Sequence, residues 1–419
     1  MTASSVEPTI HQTNRDFKKL WVGQSISMIG SQVTLLALPI TAAVSLNASP
    51  LQMGILSALG SAPALVFGLF AGVWVDRTRR RPVLIGTDLG RAIVLGIIPL
   101  SAFLGMLKVE VLYVVGFLAG TFGLIFNVAY RAYLPSLVGR DQLVKANSRL
   151  ELSGSISEII GPGVAGGLLQ LIGAPFAIAV DAFSFLVSSF SISLIRTPEP
   201  ANKPAEAGTN LGKEIKEGLV LVFGNRSLRA LAACLASLSL FNAVFEAVQI
   251  LFLTRQVGLS AGWLGIIFAG GSVGFVLGAL AADRLSGKIG LGRSMLFTIA
   301  ALGASDLLVP LMAAVHSLWL IVLLLILAQF VFGSSLTIFR IGHVSLRQSL
   351  TPDHLQGRMN ATLNMLTWGI VPLGGLLGGA LGEAAGLTTT LIFAAVGEML
   401  STAWLFFSPV KSIYKIGEP

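Results

Sequence analysis

The chain has 419 residues, of which 54% are apolar and only 11% charged, with a net charge of +8. Its mean hydropathy is +0.82, and a soluble domain carries about 25% charged residues, so the composition excludes a soluble globular protein and indicates a membrane protein. The basic residues are not interleaved with aromatics, as a base-stacking surface requires, which argues against nucleic acid as a partner. Cys234 is alone in an apolar run and the four histidines are scattered without ligand spacing. No disulfide, metal site or cofactor is therefore expected. No nucleotide fingerprint is present, and the chain reads as neither an enzyme nor an ATP-driven machine.

In chain order, residues 1–16 are polar and lack the short apolar core and small-residue cleavage site of a signal peptide. Apolar runs long enough to span a bilayer, roughly 20 residues each, then recur along the chain. They lie near 17–44, 51–75, 83–107, 110–133, 148–172 and 175–195, then 228–253, 260–283, 294–314, 318–340, 358–382 and 388–408. The expected fold class is an all-α membrane protein of twelve transmembrane helices in two six-helix bundles, 17–196 and 228–408. A cytoplasmic linker at 197–227 joins them, and tails at 1–16 and 409–419 flank them. Lys and Arg fall in alternate loops, 25 of the 28 on one side. By the positive-inside rule that side is cytoplasmic, and so are both termini.

The linker opens Thr197-Pro-Glu-Pro and is flexible through Asn210. Leu211, Ile215, Leu219 and Val222 then recur at helical spacing, with Lys213, Glu214, Lys216 and Glu217 elsewhere, which predicts an amphipathic helix on the inner leaflet. It serves as a tether between bundles or as a docking site for a regulator. The halves also echo each other, as an internal duplication would. Ser136-Leu-Val-Gly-Arg-Asp141 with Asn147 precedes the fifth span, and Ser349-Leu-Thr-Pro-Asp353 with Asn360 precedes the eleventh.

The densest charge lies in Gly72-Val-Trp-Val-Asp76-Arg77-Thr-Arg79-Arg80-Arg81. Each of these charges would cost about 2.5–3.5 kcal/mol in hydrocarbon on the lenient insertion scale, so the stretch is a turn at the cytoplasmic interface. Gly72 allows a neighbouring helix to approach, and Asp76 is placed to cap or pair across a helix end. A weaker copy, Gly278 to Asp283-Arg284, separates spans eight and nine. This spacing resembles the signature loop of the major facilitator superfamily, with Arg79 where that family carries a second glycine. Tyr133-Leu-Pro135 to Asn147, Gly161-Pro162-Gly163-Val-Ala-Gly166-Gly167 and Asp181-Ala-Phe-Ser184-Phe185 are similar, in order and spacing, to its macrolide-efflux and enterobactin-exporter branch. The glycine-proline run looks like the family's helix-five antiporter motif, with Ser157 in place of an upstream glycine and one extra residue before the glycine pair.

The glycines carry a physical reading of their own. Gly270, Gly274 and Gly278, Gly374, Gly378 and Gly382, and Gly163 and Gly167 lie four apart and suit close helix packing in lipid. Pro162 and Pro372 each remove a backbone hydrogen bond and permit a kink.

Ionisable residues within the spans are the remaining functional clues. Asp88 and Arg91 are three apart and can pair on one helix face; Asp181 joins a polar network or buffers protons. The resemblance puts helices three, six, nine and twelve at the periphery, which sets Asp181, Asp306 and Glu398 away from cargo while leaving each able to buffer protons. It puts helices five and seven at the cavity, making Glu158 and Glu246 candidates for proton coupling beside Asp88, Arg91 and Asp181. A carboxyl bonded to a neighbouring helix is the competing reading for each. Gln24, Gln32, Asn127, Asn242, Gln249, Asn364 and Trp368 are candidates for the cavity wall or for helix packing.

The resemblance implies a secondary transporter of a bacterial inner membrane that exports amphipathic small molecules in exchange for protons. A dedicated siderophore or metabolite exporter, a lipid-moving protein and a non-transporting receptor or scaffold are the alternatives.

Overall fold

The computed structural model describes residues 10–199 and 211–414.

 The flexible part of the expected linker falls on those undescribed residues. Within the described ones the chain is helical throughout: α1 (Ile10–Ile40), α2 (Pro50–Asp76), α3 (Arg80–Phe103), α4 (Val109–Val138), α5 (Leu143–Ile172), α6 (Ala174–Ser193) and α7 (Leu211–Gly224). These are followed by α8 (Arg226–Leu251), α9 (Ala261–Ile289), α10 (Leu291–Leu311), α11 (Leu318–Ser349), α12 (Gln356–Ala385), α13 (Leu387–Leu400) and α14 (Thr402–Phe406). Twelve stretches among the described residues are long and apolar enough to cross a membrane. In hydrocarbon a helix satisfies every backbone N–H and C=O within one segment, which is why an apolar chain of this length folds this way.

Several helices outrun the apolar runs that mark them. The fifth begins at Leu143 rather than 148, the eighth span continues to Ile289 and the tenth to Ser349. Hydropathy marks only the hydrocarbon slab, and a helix needs no apolar side chains once it emerges into water.

The chain divides into two compact units, Met1–Leu38 with Val66–Ala207, and Pro39–Leu65 with Gly208–Pro419. In the first, Phe17, Leu20, Leu84, Phe126, Tyr133, Leu137 and Ile192 form a buried apolar cluster. In the second, Leu228, Leu231, Met295, Ile299, Phe339 and Leu405 do the same.

Glycine seams hold the second unit. A Cβ at Gly270, Gly274 or Gly278 of α9 would strike Ile326, Phe330 or Ser334 of α11, one contact per four residues on each helix. On α12, Gly374 and Gly378 meet the Leu240 and Val244 carbonyls of α8 in the same way, and Gly382 meets Val248. The other face of α12 uses Gly375 and Gly379 against Gly54 of α2. Absent side chains let backbones touch, and dispersion over that contact favours association in lipid.

Two expectations change. No atom lies within 4 Å of a Cβ built at Gly72, Gly163 or Gly167, so none of these marks a close helix approach. The close contact of the α5 motif belongs to Gly161, against the Gln32 side chain of α1. Pro162 and Pro372 lie inside the continuous helices α5 and α12. Finally, the last turns of α7 pack onto protein: Val222 is fully buried in a cluster with Ala232, Met359 and Leu363. Glu217 pairs with Arg358 of α12, and Gly218 abuts Thr362. Leu219 remains exposed, and the side chains of Leu211, Lys213, Glu214 and Ile215 lie outside the described residues.

Candidate functional site

In the first unit, the polar residues of α1, α3 and α6 converge. Asp88 is fully buried on α3 and is ion-paired with Arg91 one turn later. Its second carboxylate oxygen accepts the Ser188 hydroxyl of α6 at 2.6 Å, and Ser188 in turn accepts Gln24 Nε2 of α1 at 3.0 Å. Asp181, also buried, accepts Thr34 Oγ1 at 2.5 Å and Ser184 Oγ at 3.1 Å. The Arg91 guanidinium lies between two rings, 4.5 Å from the Phe126 centroid and 4.0 Å from that of Phe185. A weakly hydrated planar cation tolerates such a site better than an ammonium would. Gly30 allows this convergence, since a Cβ there would lie 2.7 Å from Asp181 Oδ1.

At one end of the same unit, side chains close the helix termini. Glu199 accepts the backbone N–H groups of Arg80 and Arg81, at 2.8 and 3.3 Å, satisfying the first donors of α3. Arg81 Nη2 donates to the Ser193 carbonyl at the end of α6. Asp16 accepts the N–H groups of Arg196 and Thr197 at 2.9 and 2.8 Å, and Lys19 donates to the Leu194 carbonyl at 2.7 Å. The Asp76 side chain lies outside the described residues; Arg77 is exposed, as are Asp283 and Arg284 of the second copy.

In the second unit, Asp306 of α10 and Glu398 of α13 are 3% and 0% exposed. Their side chains lie within hydrogen-bonding reach of each other, and Asn242 of α8 lies within reach of Glu398. As carboxylates, which only accept, they leave Asp306 Oδ2 and both Glu398 oxygens without a well-aligned donor. Glu246 of α8, exposed, interacts electrostatically with both.

The other candidates are dispersed. Glu158 is exposed on α5, Asn127 on α4, and Asn364 and Trp368 on α12. Gln249 is buried on α8 and Gln32 half-buried on α1. Gly166 is buried on α5. Sequence reasoning set Asp306 and Glu398 apart as single peripheral carboxyls; that they meet depends on helix packing, which no local spacing encodes. It did not single out Glu199 or Asp16, which stand near helix ends among many other polar residues.

The Major Facilitator Superfamily profile matches residues 20–339. The chain is 29% identical over 389 residues to the multidrug efflux pump Tap of Mycolicibacterium fortuitum, covering 91% of this chain and 92% of that one. It is 30% identical to macrolide efflux protein A of Streptococcus pyogenes over 215 residues, about half of each chain (51% and 53%). Among solved structures it resembles a bacterial homologue of the iron transporter ferroportin, with a TM-score of 0.73 at 16% identity over 94% of this chain and 98% of that one. The nucleoside transporter NupG gives 0.72 at 15% identity, covering 93% and 98%. With twelve membrane-spanning helices and this match over most of its length, the chain belongs to the Major Facilitator Superfamily.

Proposed function

We propose that the protein is a secondary exporter, moving amphipathic small molecules out of the cytoplasm across a bacterial inner membrane in exchange for protons. Both termini are cytoplasmic, and each six-helix half contributes to alternating access. The observation that carries this reading is similarity to a multidrug efflux pump along nine-tenths of both chains. Acidic residues at membrane depth support proton exchange: Glu158, Glu246, Asp181 and the Asp88–Arg91 pair all lie on spanning helices. A carboxyl there can alternate between neutral and charged forms, which a group in bulk water does only in acid.

Inverted membrane vesicles test the reading. With a macrolide and a lipophilic cationic dye as probes, accumulation should require a pH gradient and collapse on addition of a protonophore. Accumulation indifferent to the protonophore would remove proton exchange from the proposal.

A further inference from the structure

We propose that Asp306 and Glu398 form a proton-binding site, one proton being shared between their carboxyl groups. This pair is where the exporter loads the proton it exchanges, a role that rests on the antiport reading above. The two side chains come from helices far apart in sequence and meet inside the second unit, almost wholly out of reach of solvent. Counted as two carboxylates, the pair leaves three of its four oxygens without a well-aligned donor, which one shared proton would supply. Thr402, at the start of α14, also leaves its hydroxyl unpartnered.

Two adjacent carboxylates in such a place cannot both ionise, because desolvation and mutual repulsion act in the same direction. A cation would be the other remedy, and the packed helices supply none. Between Leu318 and Phe339, α11 carries no ionisable residue; α9 has none before Asp283, and α12 none between Arg358 and Glu383. The only other ionisable residue of α10 is Arg293, thirteen positions before Asp306. From α8 the facing groups are neutral Asn242 and acidic Glu246, which adds repulsion. A proton satisfies this arrangement: the protonated carboxyl donates to its ionised neighbour, and the pair then carries one negative charge. Two carboxylates and one carboxamide offer too few oxygens for calcium, which takes six to eight.

The site shares no residue with the Asp88–Asp181 network, whose charge is already balanced in part by Arg91. Releasing the shared proton would leave two facing negative charges and drive α10 and α13 to admit water or shift. That gives proton release a mechanical consequence within one unit.

Infrared difference spectroscopy of the purified protein in liposomes provides a readout independent of transport. Wild type should show a protonated-carboxyl C=O band at neutral pH, and Asp306→Asn/Glu398→Gln should lose it. Persistence of that band in the double variant would overturn the site. The melting temperature of wild type should fall as pH rises above neutral, whereas that of the double variant should not fall with it. Parallel curves would overturn shared protonation. If the double variant does not purify, Glu398→Gln alone replaces it, since an amide beside Asp306 preserves shape. Sodium that raises the melting temperature of wild type but not of the variant would reassign the site to that ion.

Transport separates the two readings. The folded variant should lose uphill export while retaining downhill exchange of the probe; full proton-driven export would overturn the loading role. If wild-type export proves independent of a pH gradient while the band is present, antiport fails and the proton site stands.

Discussion

Glu199 holds the start of α3: its carboxylate accepts the Arg80 backbone N–H at 2.8 Å and that of Arg81 at 3.3 Å. The most basic turn of the chain is thus anchored by an acidic residue more than a hundred positions away, and Arg81 ties the same turn to the end of α6. The helix dipole and two otherwise unsatisfied donors both favour a negative charge there. Glu199→Ala should destabilise the protein by about 1 kcal/mol, the usual cost of losing a helix cap. Thermal melting in detergent measures this. An unchanged melting temperature would show that water replaces the carboxylate without cost.

Arg91 should resist conservative replacement. Lysine keeps the charge but cannot lie flat between Phe126 and Phe185, and its ammonium is more strongly hydrated. Arg91→Ala strands Asp88 and should cost about 3–5 kcal/mol, as breaking a buried pair does elsewhere. Arg91→Ala with Asp88→Ala should recover part of that loss, and a double-mutant cycle measures the coupling. Additive losses would contradict the pairing.

The glycines should separate into two groups. Gly278→Val places side-chain atoms against the Ser334 backbone, where even a Cβ would come within 2.6 Å of the carbonyl, and should lower folded yield sharply. Gly163→Ala and Gly167→Ala meet open space and should leave the melting temperature unchanged or slightly higher, since alanine favours helix by about 1 kcal/mol per residue over glycine. Loss of export in these two alanine variants, with stability intact, would mark the α5 positions as functional rather than packing glycines.

The α7 contact gives a fourth expectation. Gly218→Val would collide with the Arg358 carbonyl and Thr362, releasing α7 from α12. Hydrogen exchange across 211–224 should then rise while that of α8 to α13 changes little. Unaltered exchange in α7 would mean that Val222 and the Glu217–Arg358 pair hold it without the glycine.

Helix number was legible because twelve apolar runs alternate with charged turns, and the bilayer allows few other folds for such a chain. The Asp88–Arg91 pair was legible because both residues lie on one helix, where spacing determines proximity. The meeting of Asp306 and Glu398 was not, because it depends on which faces of α10 and α13 pack together. Glycine patterns were ambiguous for a related reason: Gly274 and Gly163 have similar local contexts, and only the presence of a neighbouring backbone distinguishes them. The expected 409–419 tail carries contacts that its sequence does not announce. The Tyr414 and Ile413 carbonyls accept the first N–H groups of α10, from Leu291 and Gly292, at 3.1 and 2.9 Å.

The two halves share a further detail of backbone geometry. α1 ends in a π-helical turn at Thr41–Ser45, and α8 ends in another at Phe252–Gln256. Each closes with a bond from the following residue, Leu46 to the Thr41 carbonyl and Val257 to the Phe252 carbonyl, both at 3.1 Å. The 3-10 turns at Arg140–Gln142 and Asp353–Leu355 likewise each precede a thirty-residue helix. A π turn holds one residue more than the α-helix it interrupts. Its presence at the end of the first helix in each half is most simply inherited from a single six-helix ancestor that already carried the insertion. The irregularity would then be older than the full-length chain, and the two copies have kept its shape while sharing no residue at matching positions.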